Sequence, residues 1–203
     1  MDAVSSLALA AGLGWASGIR LYATVFLVGA LAHLGYLQLP ESLAVLSHPY
    51  LIGLSGVLLV VEFIADKSPL IDSAWDSIHT FIRIPAGALL AMGAINSTDP
   101  VVAASVALLG GTLAGGTHLA KSGARALINT SPEPVSNWAA SFGEDGLVAV
   151  GLWLMFSHPT LFLLFLVIFS ALVVWLLPKL WRGIRLSWRH LSGRVGQGGG
   201  PRD

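Results

Sequence analysis

Long apolar stretches separated by short polar connections constrain this chain more than any other feature of its sequence. The stretches lie at about 12–35, 50–66, 82–97, 100–120, 145–157 and 159–178. A helix that crosses the hydrocarbon core of a bilayer needs about 20 predominantly apolar residues. Only 11% of the residues are charged, whereas a soluble domain averages about 25%. The sequence therefore predicts an all-α integral membrane protein with about six transmembrane helices.

Three of these stretches have unusual lengths. Residues 7–34 are too long for one upright span and contain Gly12, Gly14 and Gly18, so we expect a half-helix at the interface before the first span. The third and fifth stretches are short. They predict tilted spans, spans buried against neighbours, or spans extended by the polar segments that precede them.

Lysine and arginine occur in only one of the two sets of connections. Residues 36–49, 96–100 and 157–159 contain neither. Nearly all of the positive charge lies elsewhere, at Lys67, Arg83, Lys121, Arg125 and from Lys179 onward. An excess of lysine and arginine marks cytoplasmic connections. Six spans then alternate without conflict, and the pattern predicts that both termini face the cytoplasm.

The C-terminal part differs in character from the single transmembrane domain predicted for residues 1–178. Residues 179–195 combine apolar side chains at helical spacing with a basic face: Trp181, Ile184, Trp188, Leu191, Lys179, Arg182, Arg185 and Arg189. Such a helix lies in the membrane interface beside anionic lipids. We therefore expect membrane lipids as partners, and a disordered tail at 196–203.

Two features of the composition exclude other functions. Eleven basic and eleven acidic residues cancel, so no excess of positive charge predicts a nucleic-acid partner. The chain contains no cysteine, which excludes disulfides, thiolate metal sites and cysteine nucleophiles.

A short motif occurs twice in the sequence. Residues 68–75 and 131–138 both read Ser-Pro-x-x-x-Ser-x-Trp, at an offset of 63 residues. Serine favours the N-cap and proline the first turn of a helix, so each copy predicts a short helix, at 69–80 and 132–142. The sequence thus predicts an internal two-fold repeat of helix, Ser-Pro short helix, helix, with units at about 51–95 and 114–158.

The repeat also predicts where a site would lie. In many transporters the substrate site lies where internal repeats meet. The offset aligns Glu62 with Arg125 and Asp66 with Asn129, and we expect these four side chains to approach one another. A Glu62–Arg125 pair that only stabilises the fold is the alternative. Further candidates for binding a ligand or an ion are Ser68, Ser131, Arg20, Arg83 and Asp145, of which Asp145 could meet Arg83.

One helical stripe has the composition of a metal site. Asp72, Asp76, His79 and Arg83 recur at helical spacing, and two carboxylates with an imidazole could bind a divalent cation. The stripe could equally be solvated or ion-paired, because acidic residues in a first turn complement the helix dipole. His118 lies inside the fourth stretch, where it could pack between helices or bind a proton or ligand.

Four segments together resemble a known family. They are 16–22 (ASGIRLY), 61–69 (VEFIADKSP), 79–87 (HTFIRIPAG) and 126–134 (ALINTSPEP). With them, the chain resembles the bacterial membrane family catalogued as domain of unknown function 4126, over nearly its whole length. The resemblance implies a multi-pass protein of the bacterial inner membrane. It implies no activity, since none is established for the family.

These features favour a small transporter or channel for an ion or a small polar solute, with its site between the repeats near the cytoplasmic side. One alternative is a membrane-embedded, metal-dependent enzyme acting near lipid headgroups. Another is a lipid-binding or scaffolding membrane protein. A continuous polar path favours transport, a bound metal favours an enzyme, and mutually paired polar residues favour a scaffold. An oligomer is compatible with each of them.

Overall fold

The protein is built from helices, and the computed structural model contains no strand in the residues that it describes. These are residues 2–95, 97–130 and 134–196, with the backbone alone at 69, 70, 134 and 186–196. The α-helices are α1 (Ala3–His33), α2 (Pro49–Ala65), α3 (Pro69–Ile95), α4 (Pro100–Ile128), α5 (Pro134–Ser157) and α6 (Pro159–Gly196). A 3-10 helix, Glu41–Ser47, precedes α2.

The starts of these helices follow from local sequence. Five α-helices begin at a proline, a residue whose fixed φ suits the first turn and whose missing N–H is not needed there. Asp2 and Asp99 accept hydrogen bonds from the backbone N–H groups of Ser5 and Val101, at 2.7 and 2.8 Å. These side chains cap the starts of α1 and α4.

The helices have the lengths and hydropathy of membrane spans. Five of the described helices, α1, α3, α4, α5 and α6, are long and apolar enough to cross a membrane. The 3-10 helix and α2 meet at an angle of 64° and would form a sixth, broken span. The fold is therefore that of an all-α membrane protein, as the sequence predicts.

The predicted short helices at 69–80 and 132–142 are not separate elements. α3 runs without a break from Pro69 to Ile95, and α5 from Pro134 to Ser157. The polar segments therefore extend the third and fifth spans, which was one of the three explanations for their short apolar stretches. A polar first half is tolerated because its charged side chains point into a buried cluster, described below.

The predicted amphipathic helix at 179–195 is likewise not separate. α6 continues through Pro178 as far as Gly196. Its 38 residues correspond to about 57 Å, longer than the hydrocarbon core of about 30 Å. Of the tail predicted to be disordered, Gly196 ends α6, and residues 197–203 lie outside the described residues.

α1 consists of two helices joined at Arg20, whose φ of −143° and ψ of 83° are not helical. Trp15 in the first half contacts Gly151 of α5. Val28 in the second half lines a cavity of about 250 Å³ together with Leu152, also on α5. A straight helix would separate Trp15 and Val28 by about 20 Å along its axis. The chain therefore turns back at Arg20, and the two halves of α1 form a helical hairpin.

Contacts with the following helices agree with this reversal. α2 runs antiparallel to the second half of α1, with Gly56 against Phe26. α3 then returns along the first half, where Arg83 binds the carbonyl of Gly18. Arg20 thus lies towards the end of the bundle at which α2 is joined to α3 and α4 to α5. We call this the Ser-Pro end.

The reversal changes the predicted topology. Both ends of α1 lie at the end of the bundle opposite the Ser-Pro end, whereas α6 runs parallel to α4 towards the Ser-Pro end. The contacts of Gly123 with Leu180 and of Gly183 with Leu127 show this direction. The start of α1 and the end of α6 thus lie at opposite ends of the bundle, because the turn at Arg20 reverses the direction of α1, whereas the sequence predicts both termini on one side. The predicted half-helix at the interface is instead the first arm of the hairpin.

Small residues allow the α1 hairpin to lie in the centre of the bundle. A Cβ atom at Gly14 would lie 2.8 Å from the Cα atom of Gly110 on α4, and Gly87 of α3 packs against Ala114. Such close contacts are typical of helix packing in membranes. α2 and α4 both run towards the Ser-Pro end, and α3 and α5 both run away from it. This arrangement fits the predicted repeat, whose superposition stays a prediction.

Candidate functional site

Charged side chains from five helices meet around the turn of α1. Within the described residues, four cations form ion pairs with five carboxylates in what we call the charged cluster: Arg20, Arg83, Lys121, Arg125, Glu62, Asp66, Asp76, Glu144 and Asp145. Charges buried in a membrane protein are costly and mark functional sites or structural networks. The cluster is thus the candidate site.

Arg20 lies at the turn of α1 and is fully buried. Its guanidinium forms ion pairs with Asp66, at the end of α2, and with Asp145 of α5, the latter at 2.9 Å. It also donates hydrogen bonds to Ser141, at 2.8 Å to the hydroxyl oxygen and 3.2 Å to the carbonyl oxygen. The predicted contact of Asp145 with Arg83 is therefore wrong, because Asp145 pairs with Arg20, and Arg83 pairs with Glu62 and Asp76.

The break in α1 leaves two carbonyl groups that cationic side chains bind. Nη1 of Arg83 donates to the carbonyl oxygens of Gly18 and Ile19, at 3.1 and 3.0 Å. Nζ of Lys121 donates to Ile19 at 3.3 Å. Cations are favoured at the C-terminal end of a helix, where the helix dipole is negative. Arg83 also pairs with Glu62, so α1, α2, α3 and α4 are all tied together at this point.

Glu144 of α5 joins three cations of the cluster. Its carboxylate accepts two hydrogen bonds from Arg125, at 2.8 and 3.1 Å, and lies 3.4 Å from both Arg20 and Lys121. Arg125 also donates to the carbonyl and side-chain oxygens of Asn137, at 3.1 and 3.2 Å. The bidentate Arg125–Glu144 pair is the strongest geometry for an arginine and a carboxylate.

Three of the four repeat-related residues belong to the charged cluster, but they do not pair as expected. The fourth, Asn129, binds Asp72 and Ser73 instead. Arg125 lies 3.5 Å from Asp66, whereas Glu62 pairs with Arg83 and lies 4.0 Å from Lys121. The predicted direct pair of Glu62 with Arg125 is thus wrong. Glu62 lies one helical turn before Asp66, at the level of Lys121, and Arg125 lies one turn further towards the Ser-Pro end.

Two further candidates, Asn129 and Ser68, lie at or near the Ser-Pro end. The amide of Asn129 donates to Asp72 at 2.9 Å and to the hydroxyl of Ser73 at 3.1 Å. The carbonyl of Ser68 accepts from the backbone N–H of Asp72 at 2.8 Å, so Ser68 contributes to the first turn of α3. Ser131 lies outside the described residues.

The three predicted metal ligands are all buried on α3, but they face different partners. Asp72 binds Asn129. Asp76 contacts Arg83, Lys121 and Ser122. His79 binds Tyr22 and Trp75. In the described part of the chain, no three histidine, cysteine, aspartate or glutamate side chains lie close enough to hold a metal ion. The ion-paired alternative describes Asp76, and a divalent-cation site at these positions stays a prediction.

His118 of α4 is buried between α3 and α4 and takes part in the network. Its Nδ1 lies 3.1 Å from Nη1 of Arg83. Arginine can only donate, so Nδ1 must be the acceptor and the ring proton must lie on Nε2. Nε2 lies 2.7 Å from the hydroxyl of Thr80 and 3.1 Å from the carbonyl of Asp76. Both the neutral tautomer and the ring orientation are thus fixed by neighbours.

A polar cleft leads from the surface to the cluster between α3 and α4. Its volume is about 220 Å³. Four hydroxyl-bearing side chains and two charged ones line it: Ser73, Ser77, Thr80, Ser122, Asp76 and Arg125. Asp76 and Arg125 belong to the charged cluster. The cleft therefore gives a small polar molecule or ion a route to buried charges.

Lys67 lies beside the cluster, in the connection between α2 and α3. Its ammonium lies 3.6, 5.0 and 4.9 Å from the ring centres of Phe63, Trp138 and Phe142, an arrangement that favours a cation. It also donates to the hydroxyl of Ser141 at 2.8 Å. Burial lowers the pKa of Lys67, and the nearby positive charge of Arg20 lowers it further.

The predicted site residues do not include two members of the cluster, Lys121 and Glu144, or two neighbours that bind it, Asn137 and Ser141. Asn137, Ser141 and Glu144 recur at helical spacing on α5, the same signal that singled out the stripe on α3. The charge of Lys121 indicates the cytoplasmic side, but Lys121 also follows His118 by one turn on one face of α4. A search for polar stripes on every predicted helix would have found all four residues.

The chain was also compared with known proteins. Residues 7–179 match the model of a family described as "Domain of unknown function (DUF4126)". The chain belongs to this family. The match runs from α1 into α6 and includes every residue of the charged cluster, so the cluster lies within the DUF4126 domain. No curated protein and no solved structure matches the chain in these comparisons.

Proposed function

We propose that this DUF4126 protein is a small transporter or channel for an ion or a small polar solute. The observation that carries the proposal is the turn of α1 at Arg20, inside the bundle and among buried charges. Non-helical backbone at membrane depth is tolerated only where it is buried in protein or lines a cavity. Many transporters build their sites from such discontinuous helices.

The contacts at the turn fit a site that can open. The carbonyls of Gly18 and Ile19 are bound by Arg83 and Lys121, whereas in an unbroken helix backbone N–H groups would bind them. Arg83 and Lys121 can release these carbonyls and bind a solute instead, and no helix has to unfold. The α1 hairpin would then be the moving element, with its tip in the cluster.

The cleft between α3 and α4 supplies the route. Hydroxyl groups can both donate and accept hydrogen bonds, so its lining can replace part of the hydration shell of an ion or polar solute. Asp76 and Arg125 lie where this lining meets the cluster. Their opposite charges would let the cleft admit either sign of charge, or a neutral polar molecule.

We further propose that the Ser-Pro end faces the cytoplasm of a bacterium, in its inner membrane. The support is the distribution of positive charge, because Lys67, Arg125 and the basic residues late in α6 all lie towards this end. The C-terminus is then cytoplasmic and the N-terminus lies on the opposite side. Membrane lipids would contact the exposed apolar faces of α2 and α6.

A scaffolding or lipid-binding protein is the second candidate. One observation favours it: the charged groups of the cluster are paired mainly with one another. A network of this kind can stabilise a fold without binding any solute. The two candidates differ in whether the cleft has to be open.

Blocking the cleft is therefore the test of the proposal. Ser77 lines the cleft and is exposed. Among the described residues its hydroxyl bonds only the carbonyl of Ser73, one turn earlier, at 2.8 Å. We expect Ser77→Leu to fill the opening and abolish most of the flux of the transported ion or solute, without unfolding the protein. The measurement is a flux screen of ions and small polar solutes in liposomes that contain the purified protein.

Ser105→Leu is the matched control. Ser105 is also exposed on a helix and donates to the carbonyl one turn earlier, at 2.7 Å, but it lies away from the cleft. Its variant should keep the flux of the wild type. If liposomes with the wild type conduct no more than empty liposomes, or if Ser77→Leu conducts as the wild type does, the scaffold is the better account.

A further inference from the structure

One buried carboxylate of the bundle lies outside the ion pairs of the cluster. Asp72, in the first part of α3, is fully buried. Its Oδ2 accepts a hydrogen bond from the amide of Asn129 at 2.9 Å. Its Oδ1 has no hydrogen-bond donor among the described residues. No positively charged side chain among them lies within 4 Å of the Asp72 carboxylate, the limit for an ion pair. The cations of the cluster pair with the other five carboxylates.

The surroundings of Asp72 carry both signs of charge at longer range. The charged groups that face it are Arg125 on α4, Asp66 at the end of α2, and Asp76 one turn further along α3. Two of the three are acidic, and Arg125 is bound closely by Glu144. An ionised carboxylate without a close cation is expensive to bury. A proton removes this cost without breaking any ion pair.

Asp72 is also connected to the cleft. The amide of Asn129 donates both to Asp72 and to the hydroxyl of Ser73, and Ser73 lines the cleft. A change of charge at Asp72 therefore acts on a group that contacts the wall of the cleft. Hydrogen bonds to an ionised acceptor are about twice as strong as those to a neutral one, so protonation loosens Asn129.

The ligand that fits this arrangement is a proton rather than a metal ion. Magnesium takes six ligands and calcium six to eight, mainly oxygens. At Asp72 one carboxylate oxygen has no partner among the described residues, and the other accepts from the amide of Asn129. A proton needs only a single oxygen atom.

We propose that Asp72 binds and releases a proton, and that this proton regulates or drives the movement of solute through the cleft. The proton adds to Oδ1, the carboxylate becomes neutral, and its hydrogen bond from the Asn129 amide weakens. The coupling to solute rests on the proposed transport function, whereas the proton site itself does not.

Infrared difference spectra of the purified full-length protein test the proton site. Between neutral and mildly acidic buffer, the wild type should gain a carboxylic C=O band that Asp72→Asn lacks. Asp99→Asn, the same change at an exposed aspartate that caps α4, should keep the band. An unchanged band in Asp72→Asn would overturn the proposal, as would a wild-type band removed by added Na⁺ or Mg²⁺ at constant pH.

A second variant covers the case in which Asp72→Asn does not fold, as judged by gel filtration. Asp72→Glu keeps a carboxyl group at the site, so the band should shift in frequency rather than vanish. A band identical to that of the wild type would contradict the assignment.

Flux in liposomes tests the coupling separately. An acidic gradient should accelerate flux through the wild type, and Asp72→Asn should lose this acceleration while keeping passive flux. Retained acceleration in the variant would overturn the coupling. If the wild type carries no solute at all, the proposed function fails, and the infrared band alone still decides whether Asp72 is a proton site.

Discussion

Arg20→Met is expected to lower the free energy of unfolding by about 3–5 kcal/mol, the range for removing one partner of a buried ion pair. Methionine fills much of the volume of the arginine stem but leaves the carboxylates of Asp66 and Asp145 without their closest cation. The hydrogen bonds to Ser141 are lost as well. The tip of the α1 hairpin should therefore lose the contacts that hold it in the cluster.

Thermal unfolding in detergent measures this effect, with Arg182→Met as the control. Arg182 is exposed near the end of α6, and exposed substitutions usually change stability by less than about 0.5 kcal/mol. The wild type and Arg182→Met should unfold together, and Arg20→Met at a clearly lower temperature. Equal unfolding temperatures for all three would show that the ion pairs of Arg20 do not stabilise the hairpin.

Gly18→Ala is expected to produce the second large loss of stability. A Cβ atom at Gly18 would overlap Oγ1 of Thr117 and the carbonyl oxygen of Ala114, and would lie 2.8 Å from the Cα atom of Ala114. Thr117 could rotate, but the backbone of α4 cannot move without disturbing its contact with α3. Overpacking of this kind costs about 1–3 kcal/mol, and backbone overlap favours the upper part of that range.

Gly116→Ala is the matched control, because it makes the same change on α4. A Cβ atom there would meet nothing within 4 Å. Alanine favours a helix over glycine by about 1 kcal/mol, so this variant should be as stable as the wild type or slightly more stable. The comparison uses the midpoint of thermal unfolding in one detergent. If the two variants behaved alike, the close packing of α1 on α4 would be refuted.

Much of the fold could be predicted from the sequence because its signals are local. Apolar stretches of span length and prolines at helix starts identify the helices without reference to their neighbours. The polar stripe on α3 was also local, and it correctly placed Asp76 and Arg83 on one face. Several predicted residues thus belong to the charged cluster, and their role as a site stays a prediction.

The turn at Arg20 could not be predicted in this way. Its surroundings are apolar and rich in glycine and alanine, which fits a continuous helix with close packing. What stabilises the turn is distant in sequence: Asp66 and Asp145 bind the side chain, and Arg83 binds the freed carbonyls. Which cation pairs with which carboxylate depends on the relative levels of the helices along the bundle axis. Close contacts at glycines set these levels. Alignment of the two repeats carries no information about these levels.

The distance between the two arms of α1 tests the central claim most directly. Leu7 and Leu31 are both partly exposed, and the chain contains no cysteine, so a spin label can be attached to a cysteine at each position. In one continuous helix these residues would lie about 36 Å apart. We expect a distance below about 25 Å by electron paramagnetic resonance in liposomes, since both arms return to the same end of the bundle. A distance near that of a straight helix would contradict the hairpin, and with it the transport site that the hairpin forms.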